Sequence, residues 1–198
     1  MFHVKHEGSP WEALSASQRA ALRSYEDLLR TTAVPRRMVS SADVERLHER
    51  HVLDSLRGVP WLPSDAARAC DVGSGAGLPG IPIAVAEPGL EVTLSEPRLQ
   101  RVAFLELVVE RLGLANVLVR SGSGQQLPQG HFDACFARAL ADPARTWAIA
   151  GQLLAPAGRL IYWAGRTFGP EDVPKGVRVQ VADPPLESGG PIVIMTRQ

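Results

Sequence analysis

Between Cys70 and Pro82 the sequence reads CDVGSGAGLPGIP. A short apolar run turns abruptly into Gly73, Gly75 and Gly77 at alternate positions. Glycines are needed where a backbone turns tightly or where a ligand must come close to it. The next segment, Pro79 to Ala86, predicts a helix whose first N–H groups can face a ligand. A strand, a glycine loop and a helix in that order make a cofactor loop. A second candidate follows at LSEP, where Glu96 ends the next predicted strand. An acid at that distance from the glycines suits the two hydroxyls of a ribose. Each acid also has a plainer reading. Asp71 would cap its own loop, and Glu96 would sit favourably at the N-terminus of the helix after Pro97.

The nature of the cofactor turns on Asp71. Gly75-Ala-Gly77-Leu-Pro-Gly80 matches the dinucleotide fingerprint, which is weak evidence by itself. A pyrophosphate bound there would lie close to the Asp71 carboxylate and be repelled by it. Pro79 also removes one early helix N–H. S-adenosylmethionine brings an ammonium and a sulfonium to such a loop and no phosphate. The residues therefore favour it over NAD or FAD, while Glu96 does not discriminate, since all carry a ribose diol.

The elements that must position these residues alternate. Expected strands are the run from Ala67, Glu91–Ser95, Val117–Val119, His131–Phe136 and Arg159–Trp163. Expected helices are Pro79–Ala86, Leu99–Leu112 (closed by Gly113) and Pro143–Leu154. Val177–Val181 and Ile192–Thr196 are expected to pair as an antiparallel end. This grammar predicts a mostly parallel sheet with helices on both faces. The first part of the chain differs. Ser15–Thr32 predicts a helix with Leu22, Tyr25, Leu28 and Leu29 on its apolar face, capped by Ser15 or Ser17. A second helix is expected from Ser41, through Val44, Leu47, His51, Leu53 and Leu56, to the stop at Gly58 and Pro60. The division expected is a helical cap over residues 1–62 and an α/β domain over 63–198.

Composition excludes several classes. Lys plus Arg and Asp plus Glu are each 21, so the formal charge is zero and there is no basic tail. Cys70 and Cys135 sit in apolar runs and read as buried thiols of a reducing compartment. No apolar segment reaches membrane-spanning length and MFHVKHEGSP lacks a secretion signal's apolar core, so a cytoplasmic location is expected. His48-x-x-His51 has metal-like spacing but no further ligand nearby in sequence, and a helix-face role is the simpler account. Asp54 is expected to pair with Arg50 one turn earlier.

MFHVKH, RHVLDSL from Arg50 to Leu56, DVGSGAGLPGIP from Asp71 to Pro82, Arg101–Leu105 and FDACFARAL from Phe132 to Leu140 resemble the RsmG (GidB) family. The likeness runs from the first residues to near the C-terminus. It implies a Rossmann-like class I methyltransferase fold with a seven-stranded, mostly parallel sheet and a helical N-terminal extension. It further implies S-adenosylmethionine-dependent methylation of guanine N7 in the 530 loop of 16S ribosomal RNA, by a monomer acting on the small subunit or its precursor. By position, Asp71, Gly73, Ser74, Gly75, Gly77 and Leu78 would surround the donor's methionine end. Glu96 would hold the ribose, and Gly124 and Gln125 would face the adenine. Arg138, at the end of the fourth strand, would stand at the catalytic opening, contacting guanine O6 or a phosphate, or lie within the cofactor site. Its plainer reading is an ion pair with Asp142 or Asp133. The sequence departs from the family pattern at three places. Gly124-Gln125 replaces a small–acidic pair, Ala164 stands where a lysine is usual, and TTAVPRRMV replaces an asparagine-rich stretch. An RNA surface would be assembled from arginines such as Arg36, Arg37, Arg46, Arg50, Arg57, Arg138, Arg145 and Arg166. Methylation of a small molecule, and a nicotinamide-dependent or inactive cofactor-binding module, are the competing classes.

Overall fold

A computed structural model describes residues 10–138, 140, 142–182 and 190–198. The MFHVKH stretch lies outside these. The strands are β1 (Arg68–Val72), β2 (Glu91–Glu96), β3 (Val117–Ser121), β4 (Phe132–Arg138), β5 (Leu154–Trp163), β6 (Val177–Ala182) and β7 (Ile192–Arg197). They form one sheet in the order β3-β2-β1-β4-β5-β7-β6. The first five run parallel to one another, and β7 runs antiparallel to both β5 and β6. The order reverses between β1 and β4. In open α/β sheets ligands bind at such a switch point, beyond the C-terminal ends of the strands.

The helices are α1 (Ala16–Leu28), α2 (Asp54–Leu56), α3 (Gly80–Ala86), α4 (Leu99–Leu112) and α5 (Pro143–Leu153). Of the two expected caps, Ser15 closes α1. Its hydroxyl accepts from Gln18 N–H, and the Gln18 side chain accepts from Ser15 N–H. Gly113 ends α4 at φ +63°, a conformation that glycine adopts without strain. Asp142 caps α5 ahead of Pro143.

Two expectations need correction. The segment from Ser41 is not one regular helix. It is 3-10 over Ser41–Arg46, π over His48–Leu53 and α only in α2. This mixed winding places Asp43, His51 and Asp54 where all three meet one cationic network. Strand β5 begins at Leu154 rather than Arg159, and its pairing with β4 is irregular between Phe132 and Ala134. The helical cap also shares its core with the sheet. Leu22, Tyr25, Leu29, Leu47, Val52 and Leu56 pack in one cluster with Ile81, Leu94, Phe104 and Phe136. Burying each such side chain supplies roughly 1.5–3 kcal/mol, so cap and sheet stabilise each other across position 62.

Candidate functional site

The glycine loop leaves β1 at the switch point. Gly73, Gly75 and Gly77 have φ of +73°, +61° and +95°, so an L side chain would be strained at each. At Gly77 space is also lacking, because a Cβ would lie 2.6 Å from Ile81 and 3.1 Å from both Leu105 and the Tyr25 hydroxyl. The loop is tied to β2, with Gly73 N–H and Ser74 N–H both donating to Ser95 O at 2.9 and 3.0 Å. The Ser74 hydroxyl donates back to Asp71 O at 2.9 Å. Leu78 packs against the core and precedes Pro79 through a cis peptide. The Tyr25 hydroxyl, fully buried, donates to Ala76 O at 2.7 Å. Helical spacing marks Tyr25 only as part of an apolar face and gives no sign of a hydroxyl reaching the loop.

The plainer reading of Asp71 is met by one oxygen, and the other is left over. Oδ2 accepts from the N–H of Gly80, the first residue of α3, at 2.9 Å, while Oδ1 is buried and has no hydrogen-bond partner among the described residues. Burial pushes the carboxyl up to about 7, against the lowering effect of the Gly80 N–H and the Arg138 charge; Glu96 adds to the rise. A buried, unpartnered carboxylate oxygen is costly unless a donor meets it. An ammonium would. Glu96 is 2% exposed. Its Oε2 accepts from Gly75 N–H at 2.9 Å, its Oε1 accepts from Arg98 N–H at 3.0 Å, and Arg101 Nη1 lies 3.6 Å away. Each oxygen retains a lone pair for a hydroxyl. Gly124 is buried against β1, where a Cβ would stand 2.6 Å from Val72 and 3.2 Å from Ile149. Gln125 beside it is exposed.

At the ends of β4 and β5 the rim is held by side chains. Arg138 Nη2 donates to Arg50 O and to His51 Nδ1, both at 3.0 Å, and Nη1 lies 3.5 Å from Asp54 Oδ2. The ion pairs with Asp142 or Asp133 do not form. Asp142 caps α5, and Asp133 accepts from Ala67 N–H and Arg68 N–H. Asp54 does not pair with Arg50 either. It binds Arg57 at 2.6 Å, while Arg50 lies 3.3 Å from Asp43. Arg57 donates to Gly190 O, and Trp163 Nε1 donates to Asp54 O at 2.8 Å. Gly58 makes room for Trp163, whose ring would stand 2.4 Å from a Cβ there. His51 is lowered to about 4, chiefly by burial and next by Arg138, so it is neutral and an acceptor at Nδ1. His48 is bonded instead to Glu26 at 2.6 Å and stacks edge-on against Trp11. Among the described residues no cluster of His, Cys, Asp and Glu could hold a metal. Cys70 and Cys135 are free, buried thiols with Sγ atoms 3.1 Å apart on paired strands. Ala164 is buried, whereas Arg145 and Arg166 are exposed.

A seven-stranded sheet of this order, with a glycine loop after β1 and an acid ending β2, defines an S-adenosylmethionine-dependent methyltransferase of the Rossmann-like class. The fold matches a mutant of MtNAS in complex with S-adenosylmethionine (TM-score 0.63, 19% identity, 91% of this chain and 72% of that one). It also matches a SAM-dependent methyltransferase from Aquifex aeolicus (TM-score 0.58, 20% identity, 81% and 97%). The family model GidB, rRNA small subunit methyltransferase G, matches residues 18–172. The ribosomal RNA small subunit methyltransferase G of Mycolicibacterium paratuberculosis is 37% identical over 92% of this chain and 82% of its own. That of Burkholderia thailandensis is 38% identical over 85% and 77%. The chain belongs to the GidB family. Among the described residues no helix is long and apolar enough to cross a membrane.

Proposed function

We propose that this chain methylates N7 of a guanine in the 530 loop of 16S ribosomal RNA, within the small subunit or its precursor. The observation that carries the donor half is the pairing of a loop of positive-φ glycines with a buried Asp71 Oδ1 that has no hydrogen-bond partner among the described residues. Asp71 would hold the donor's ammonium, and Glu96 the ribose hydroxyls. Gly73, Gly75 and Gly77 would let the donor lie against bare backbone, with Ser74 and Leu78 beside them, and Gly124 with the exposed Gln125 amide would flank the adenine. When bound, S-adenosylmethionine supplies an electrophilic methyl group on sulfur. Neutral guanine N7 presents a lone pair and needs no strong base, which suits a rim whose one buried histidine is neutral and engaged. The protein's task is alignment. Arg138 stands at the base's entrance with its Nη2 committed to the cap, a geometry that supports a positioning role there and leaves any direct RNA contact to its release from His51.

The test is transfer of labelled methyl to small subunits from a strain lacking the modification, followed by mapping of the labelled nucleotide. Label at the 530-loop guanine is expected. Label elsewhere in the RNA would redirect the substrate, consistent with the departures at Gly124-Gln125 and Ala164. Donor binding without transfer to any RNA would leave a cofactor-binding module.

A further inference from the structure

The sheet is not covered evenly. Parallel strands are ordinarily joined by crossovers that carry a helix and bury both faces. The connection 122–131 between β3 and β4 carries only a 3-10 turn, Gly124–Gln126, which lies on Val72 of β1 rather than over β2 and β3. The outer face of those two strands is left as the floor of a groove of about 360 Å³. Thr93, Ser95, Leu118 and Arg120 form this floor, between Gln126 on one side and His131 on the other. Thr93 is 5% exposed yet has no hydrogen-bond partner among the described residues. Arg120 is exposed and equally unpaired, and Leu118 keeps 39% of its surface in solvent.

We propose that this groove binds a nucleotide of the RNA strand flanking the target guanine. The inference rests on the function proposed above. Charge favours a polyanion, because Arg120 is exposed in the lining and has no ion-pair partner among the described residues, and Arg68, with Nη1 3.2 Å from the His131 ring, lies nearby. The acid of the lining, Glu91, sits where β2 begins, in register with Arg68 on β1 and away from Arg120. The lining is rich in hydroxyl and amide groups, which suit ribose and base edges, with Leu118 as an apolar platform for a base. The groove is also continuous with the donor site: Gly122, in its wall, donates to Glu96 O, and Ser95 donates to Gly122 O.

Arg120→Glu is the test, because an exposed residue without partners can change without unfolding the chain. Arg111→Glu, on the exposed side of α4, makes the same change of charge elsewhere. For methylation of small subunits lacking the mark, Arg120→Glu is expected to raise KM roughly tenfold at low salt and to reduce the salt dependence of binding by about one phosphate contact. Affinity for S-adenosylhomocysteine stays unchanged, and Arg111→Glu stays within about twofold of wild type. Equal behaviour of the two variants, with wild type active, would overturn the groove alone. A wild type that binds the donor but methylates no RNA would overturn the reading beneath it as well. A wild type that sediments as a dimer and becomes a monomer on Leu118→Glu, with KM for the subunit unchanged, would assign the groove to a second copy instead.

Discussion

The rim of the sheet is held by backbone at one half and by side chains at the other. At the ends of β1 and β2 the loop's N–H groups meet partners close in sequence. Gly73 and Ser74 donate to Ser95, Gly75 to Glu96 and Gly80 to Asp71. At the ends of β4 and β5 the partners come from far apart: Arg138 with Arg50, His51 and Asp54, Trp163 with Asp54, and Arg57 with Gly190. A backbone turn enforced by glycine orders few rotamers when it forms. Long ionic side chains lose rotamer freedom and solvation, and hold their place only while every partner is present. The rim at β1 and β2, the proposed donor half, is therefore built to keep its shape, and the rim at β4 and β5, the proposed acceptor half, hangs on a few carboxylates.

The sharpest way to break that contrast is Asp54→Ala. Asp54 serves Arg57 and Arg138 with side chains 7–19% exposed. Its removal leaves two largely buried guanidiniums short of a counter-charge, a loss of roughly 3–5 kcal/mol. Urea unfolding measures it, and a loss under about 1 kcal/mol would show that the network does not depend on this carboxylate. Next in size is Glu96→Ala, expected to weaken donor binding by about 1.5–3 kcal/mol, the scale of hydrogen bonds to a charged group. The loss should shrink for a ligand without the ribose 2′ and 3′ hydroxyls. Because Glu96 also accepts from Gly75 N–H, equal losses for both ligands would mean that it acts only by holding the loop.

The same contrast explains what could be read from the chain. The loop was legible because each feature is local: glycines at alternate positions, an acid before them, an acid closing the next strand. The alternation of strands and helices was legible for the same reason. The network at β4 was not. Helical spacing pairs Asp54 with Arg50, but the π turn over His48–Leu53 breaks that spacing, leaving Asp54 to Arg57 one turn on and to Arg138, which only tertiary packing brings near. Tyr25 and Trp163 gave only the signal of core residues. The bare face of β2 and β3 was invisible too, since a missing helix shows in sequence only as a short connection.

A third prediction uses pH. Burial raises Asp71 to about 7 in the folded chain, above the ordinary carboxylate range. Between about pH 4 and 7 the unfolded chain has given up a proton that native Asp71 keeps, so this group makes the ligand-free protein less stable as pH rises through that window. Donor binding runs the other way. An ammonium prefers the ionised carboxylate, so affinity for S-adenosylhomocysteine should rise roughly tenfold from pH 6 to 8, levelling above the carboxyl's pKa. Asp71→Asn should flatten the profile. A flat wild-type profile in calorimetry would remove Asp71 from contact with the ammonium.

The smallest effect tests the acceptor half at one atom. Neutral His51 accepts from Arg138 through Nδ1, and its Nε2 lies 3.3 Å from Asp43 Oδ2. The proton therefore belongs on Nε2, the assignment that serves both neighbours. An asparagine places its amide near the Nδ1 position, and a glutamine reaches the Nε2 position instead. His51→Asn keeps an acceptor for Arg138 and gives up the contact to Asp43. His51→Gln does the reverse. If the hydrogen bond to Arg138 positions that guanidinium at the rim, Gln should cost about 1 kcal/mol more stability than Asn, the net worth of one such bond. Single-turnover methylation should fall further in Gln than in Asn, with affinity for S-adenosylhomocysteine compared in parallel. Packing alone predicts a different order, because both variants lose the ring and Asn loses more volume. Asn retaining more transfer than the larger Gln would identify the Nδ1 acceptor as what matters, and the opposite order would reduce His51 to a space-filling residue.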